Sequence, residues 1–136
     1  MKPEIKYKKG YKYWLTRPYS VQTSIVLDRD IVSSGGFLML DKWGWLHIKA
    51  GYAWDGASGP AIDTISFMRG SCVHDALCQL VCEGVLSPTY IKDGNELLYK
   101  MCLEDGMNKV RAWCVYKAVS LFCKMVMTKH EILTAP

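Results

Sequence analysis

The sequence predicts an α+β fold, with N-terminal antiparallel strands and a hairpin packed with about three C-terminal helices and a His-Asp pair on the first helix. Three observations predict it. Aromatic and β-branched residues crowd the first third. Apolar residues recur at helical spacing through the second half. No Pro/Gly/Ser stretch is long enough to act as a linker between domains. With 136 residues, half of them hydrophobic and 22% charged, the chain has the size and balance of a single domain over 1–136. It divides into a strand-rich part (1–50), a small-residue loop (51–65) and a helical part (66–128).

Between Tyr7 and Val32, residues such as Tyr11, Tyr13, Trp14, Val21, Ile25 and Val26 predict two or three short strands, interrupted at Pro18. Phe37-Leu38-Met39-Leu40 and Trp45-Leu46-His47-Ile48-Lys49 are two apolar runs around Asp41-Lys42-Trp43-Gly44, and read as a hairpin with a polar turn. Gly51 to Pro60 is so rich in small and turn-forming residues that regular structure should stop there. A first helix is expected from about Ser66 to Gly70 through Glu83, with Gly84 as its stop. A second runs from about Asp93 to Glu104 and ends at Gly106, with Leu97, Leu98, Met101 and Cys102 as its apolar face. The third is capped by Asn108, and its apolar positions repeat at three- and four-residue spacing to about residue 127.

Lys plus Arg exceed Asp plus Glu by 17 to 13, too mild a surplus for a chain that lives on nucleic acid, which is not an expected partner. The surplus is local. Lys2, Lys6, Lys8, Lys9, Lys12 and Arg17 stand with tyrosines near the N-terminus, a pattern that fits a solvated edge strand better than an anionic surface. Met1 to Lys6 leads into further lysines instead of an apolar stretch, so synthesis in a host cytoplasm is expected. The apolar run Trp113 to Met127 carries Lys117 and Lys124 and is shorter than the roughly 20 residues of a membrane span. In a reducing cytoplasm the six cysteines are expected to be small buried hydrophobes; disulfides become an option if the protein leaves the cell by lysis. His47 and His130 have no carboxylate nearby in sequence and are read as structural.

The densest polar cluster is Asp55, Ser58, Asp63, His74 and Asp75. On a helix, His74 and Asp75 point about 100° apart, so both can reach one cleft in different roles. A neutral imidazole can take a proton from water, and a carboxylate with backbone carbonyls from a small-residue loop suits Ca²⁺. The ordinary alternative is side-chain turns at Asp55 and Asp63 and a satisfied histidine. Ser58 lacks the spacing of a nucleophile elbow. Zinc at His74, Cys78 and Cys82 is disfavoured, because positions i and i+8 on a helix lie about 12 Å apart and one ion cannot hold all three.

Gly51 to Thr64, then Phe67-Met68-Arg69-Gly70 and Val73-His74-Asp75-Ala76-Leu77, resembles an uncharacterised domain family common in tailed bacteriophages and prophages. The resemblance continues through Asn95-Glu96-Leu97-Leu98-Tyr99-Lys100-Met101 and the Trp113 to Phe122 helix. It implies a phage protein, made in the host and carried on the virion in one reading, with other virion proteins or further copies as partners. The order of a glycine-rich loop before a His-Asp helix also resembles secreted phospholipases A2. That resemblance implies His74 as the base that activates water, Asp75 with the carbonyls of Trp54, Gly56 and Gly59 as Ca²⁺ ligands, and Asp93 as the orienting carboxylate. It further implies a phospholipid or cell-envelope substrate. Cys78 stands where those enzymes usually have tyrosine, and Asp93 falls at the extreme start of its helix. The alternative is a non-catalytic tail, neck or baseplate component that uses the loop as a docking surface.

Overall fold

The computed structural model describes residues 7–8, 13–54 and 65–134, and side chains at 13–54 and 65–121. The architecture is α+β: antiparallel sheets in the N-terminal part, then three helices. One sheet has the order β1-β2-β7, formed by β1 (Tyr7–Lys8), β2 (Tyr13–Leu15) and β7 (Ala53–Trp54). The other is β3-β6-β5-β4, formed by β3 (Tyr19–Gln22), β4 (Ile31–Val32), β5 (Leu38–Leu40) and β6 (Trp45–Ile48). Pro18 lies between β2 and β3, where the chain passes from one sheet to the other and a missing amide donor leaves no gap in either ladder.

The expected hairpin is β5–β6, in the register Leu38↔Ile48, Met39↔His47, Leu40↔Leu46. Alternation sets Leu38, Leu40, Leu46 and Ile48 into the core. Asp41 builds the turn: its Oδ1 accepts from the amides of Trp43 (3.0 Å) and Trp45 (2.9 Å), and its carbonyl accepts from the Gly44 amide (3.0 Å). Gly44 has φ +95°, and a Cβ there would meet the Ile25 and Thr23 carbonyl oxygens at 2.7 and 2.9 Å, so only glycine fits.

The helices are α1 (Ile65–Cys82), α2 (Ile91–Glu104) and α3 (Lys109–Thr134). Gly84, with φ +79°, ends α1, and the Leu80 carbonyl accepts from the amides of both Val85 and Leu86. A 3-10 turn, Pro88–Tyr90, with Ser87 as its cap leads into α2, which therefore starts two residues before the expected Asp93. Asn108 Oδ1 accepts from the Arg111 amide at 2.8 Å and caps α3, which runs past the expected residue 127. Among the described residues no helix is long and apolar enough to cross a membrane.

Two clusters make the core. Leu15, Ile25, Leu38, Leu40, Leu46 and Ile48 from the strands meet Met68, Cys72, Val73, Ala76, Leu77 and Leu80 of α1. Phe67 of α1 joins Leu98 and Cys102 of α2, Met107, and Ala112 and Val115 of α3. α1 is thus buried on both sides, between the strands and the other helices. Two glycines bring α1 and α2 close: a Cβ on Gly70 would stand 2.7 Å from Leu98 Cδ1, and one on Gly94 would stand 3.4 Å from Leu77 Cδ1.

One cation crosses this core. Arg69 is 5% exposed; its Nε donates to both oxygens of Asp105 (3.2 and 3.0 Å), Nη1 to the Tyr19 hydroxyl (3.0 Å), and Nη2 to Glu104 (2.7 Å). It ties β3, α1 and the C-terminus of α2 together, and it neutralises acids that sit at the unfavourable end of the α2 dipole. Desolvation acts to lower the guanidinium pKa, but the bonds from Asp105, Tyr19 and Glu104 outweigh it and hold the group charged.

Candidate functional site

His74 and Asp75 are consecutive residues of α1, and the close α1–α2 approach determines what His74 meets. His74 is 8% exposed, and its Nε2 lies 2.6 Å from Asn95 Oδ1 on α2. An amide oxygen only accepts, so Nε2 carries the hydrogen, and in the neutral ring Nδ1 then holds the lone pair. Asn95 Nδ2 points at Ser120 Oγ on α3 (3.4 Å), which sets the amide's orientation and carries the polar chain across all three helices. Asp93 does not occupy the orienting place. Two positions before Asn95 on α2, its side chain turns about 200° away, and its Oδ1 accepts from Ser24 Oγ at 3.1 Å. Asn95 was visible in the sequence as the first residue of the Asn95–Met101 motif, but a search for a carboxylate passes over it.

Cys78 Sγ lies 3.8 Å from His74 Nδ1 and 3.9 Å from Nε2. The two distances are near-equal and long, so the thiol is a weak partner that favours neither ring nitrogen. The stripe His74, Cys78, Cys82 was expected to stay in the core. It runs outward instead, from buried through half-buried to exposed. The cysteines likewise divide: Cys72 and Cys102 are buried, whereas Cys82 and Cys114 are exposed. Burial pushes the Cys102 thiol up to about 12 and raises Cys72 as well, with the Asp75 charge adding to it there.

Asp75 is half-buried. Its charge reaches Tyr52, whose phenol is raised first by burial and then by Asp75. Trp54, the last described residue before the loop, donates from Nε1 to Ser71 Oγ at 3.0 Å, and Ser71 Oγ donates to the Met68 carbonyl at 2.9 Å. The leading edge of the small-residue loop is therefore fixed to α1 one turn before His74. Asp55, Gly56, Ser58, Gly59 and Asp63 lie outside the described residues. Of the expected Ca²⁺ donors, Asp75 and Trp54 are described; both offer the hard oxygens that Ca²⁺ takes, and two are too few to hold it alone. Among the described residues there is no group of three or more His, Cys, Asp or Glu side chains that could hold a metal.

Among the described residues, a histidine and an aspartate meet side chain to side chain at a different place. His47 Nε2 lies 3.1 Å from Asp41 Oδ2, beside the β5–β6 turn and away from the first helix. His47 Nδ1 meets Ser20 Oγ at 2.9 Å, and Ser20 and His47 are direct cross-strand partners in β3–β6. Reading His47 as lacking a carboxylate is corrected: Asp41, six residues earlier, is returned to it by the hairpin. With Oδ1 of Asp41 taken by two turn amides, the chain Ser20–His47–Asp41 staples an exposed sheet face. A cleft of about 270 Å³ opens between the β3 edge and α2, lined among others by Gln22, Trp45, Arg69, Leu97 and Lys100; among the described residues, none of the expected site residues lines it. Compared with family models, with curated proteins and with solved structures, the chain finds no match.

Proposed function

We propose that this chain is a bacteriophage-encoded ester hydrolase of the phospholipase A2 kind, with His74 as general base and Asn95 as its positioning residue. The observation that carries the reading is the 2.6 Å bond between His74 Nε2 and Asn95 Oδ1, made across antiparallel helices in a buried setting. It fixes one tautomer. Nδ1 then takes a proton from water as the water oxygen attacks the ester carbonyl, and the same proton passes to the departing alkoxide. Ca²⁺ held by Asp75 and the carbonyls of Trp54, Gly56 and Gly59 would supply charge for the developing oxyanion. The proton transfer at His74 itself needs no metal. A neutral amide supports an imidazolium less than a carboxylate does, so the base is weaker than one backed by aspartate. The phage setting is supported by the residues from Gly51 to Leu77 quoted above, and a phospholipid or cell-envelope substrate by the order of loop, His-Asp helix and second helix.

A second reading has its own observation: at 8% exposure, with Cys78 Sγ 3.8 Å from Nδ1, His74 also fits a satisfied core histidine of a non-catalytic virion component. Fatty-acid release from mixed phospholipid vesicles separates the two, with Ca²⁺ and with chelator, for wild type and His74→Gln. The hydrolase reading expects calcium-dependent release that falls about 10²-fold or more in the variant. No release from either protein would leave the virion component, and equal release from both would overturn His74 as the base.

A further inference from the structure

Over residues 109–121, α3 is apolar on two opposite sides, and among the described residues one of them packs inside this chain. Ala112 and Val115 face α2 and the Phe67 cluster. On the other side, Val110, Trp113, Cys114, Ala118 and Leu121 follow one another at three- and four-residue spacing, and all are exposed. Val110 is 75% exposed, Trp113 50% and Leu121 63%. Solitary exposed apolar residues need no explanation, but a continuous stripe marks a surface that meets something else.

The charges say what that is. Residues 109–121 hold Lys109, Arg111 and Lys117 and no acid. At about 100° per residue, Lys109 and Arg111 fall on the two margins of the stripe, and Lys117 lies within it. Lys117 Nζ stands 4.5 Å above the Trp113 ring, so its stem covers apolar surface while its charge stays at the rim. Tyr116 supports Trp113 from below, with ring centroids 5.8 Å apart. Over residues 109–121 the apolar stripe with tryptophan is bordered by cations, which matches an anionic lipid surface. A twofold pairing centred on these residues would bring Lys117 near its own image, and residues 109–121 hold no acid to accept it.

We propose that the outward face of α3 docks this protein onto anionic phospholipid surfaces. The docking is independent of the chemistry at His74 and is read without it. Full-length protein is sedimented in chelator with vesicles of phosphatidylcholine alone and of phosphatidylcholine with phosphatidylglycerol, alongside His74→Gln. Both proteins are expected to bind the phosphatidylglycerol vesicles, and salt to weaken that binding. Leu121→Glu should lower partitioning at least tenfold and Lys117→Gln about fivefold. Both substitutions lie at exposed positions, and unchanged thermal melting checks that each variant folds. No binding, equal binding to both vesicle types, or binding indifferent to both substitutions would overturn the proposal. So would a dimer in sedimentation equilibrium that Leu121→Glu dissociates, which would give the face to a second copy. Failure of this binding leaves the His74 reading untouched, and failure of hydrolysis leaves the docking untouched.

Discussion

At the scale of single residues, the bond between His74 and Asn95 is a buried polar contact whose loss has a calculable effect. Asn95→Leu leaves a buried imidazole N–H without its acceptor and should lower unfolding free energy by about 1–3 kcal/mol in denaturant titration. Asn95→Asp should be tolerated better, because the carboxylate still accepts from Nε2. Thiol chemistry gives a second check. Cys82 and Cys114 should react with Ellman's reagent in the native protein at mildly alkaline pH. Cys72 and Cys102, buried and with raised pKa values, should react only after denaturation. The sequence made His74 visible because a histidine beside an aspartate interrupts an apolar helix. Its partner was misjudged because the two candidates stand two residues apart on α2, and the direction each takes depends on where that helix starts, a matter of the 3-10 turn at Pro88–Tyr90.

At the scale of elements, what was legible was local. The hairpin was readable because Asp41 and Gly44 carry its turn chemistry, and the helix stops were readable because Gly84 and Gly106 adopt positive φ. The division of seven short strands into two sheets was not readable, since β2 pairs with β7 some 40 residues later and nothing local signals it. The hairpin predicts a pH effect. Desolvation acts to raise the Asp41 carboxyl, but bonds from His47 and from the Trp45 and Trp43 amides outweigh it and hold it below the usual carboxylate range. A depressed folded-state value means that the stabilisation is present in full above the ordinary carboxylate range and is lost as pH falls through the lowered value. The melting difference between wild type and Asp41→Asn should therefore shrink as pH falls into the acid range. Between helices, Gly70→Ala sets a Cβ 2.7 Å from Leu98 Cδ1 and should destabilise by about 1–3 kcal/mol. Gly94→Ala should be milder, because its 3.4 Å contact is offset by about 1 kcal/mol of helix propensity.

At the scale of the whole molecule, Arg69 is the buried cation that joins β3, α1 and the C-terminal end of α2, beside the neutral bond from Trp54 to Ser71. Arg69→Met fits the space but takes the Arg69 cation away from the half-buried Asp105, and should lower stability by about 3 kcal/mol, read as a reduced denaturation midpoint. A buried arginine in an apolar helix was a legible signal, yet its three partners come from β3 and from the far end of α2, and only the assembled fold names them. The same framework holds α1 against α2 and gives His74 its geometry, so the fold should present one imidazole tautomer. Long-range proton–nitrogen correlation spectra of the histidine rings read this out, with His74→Gln supplying the assignment. His74 is expected to carry its hydrogen on Nε2 in the wild type, and Asn95→Leu to remove that preference. A wild-type His74 protonated on Nδ1 would contradict it, because Nε2 would then face the Asn95 oxygen without a hydrogen to donate and Nδ1 would hold no lone pair for water.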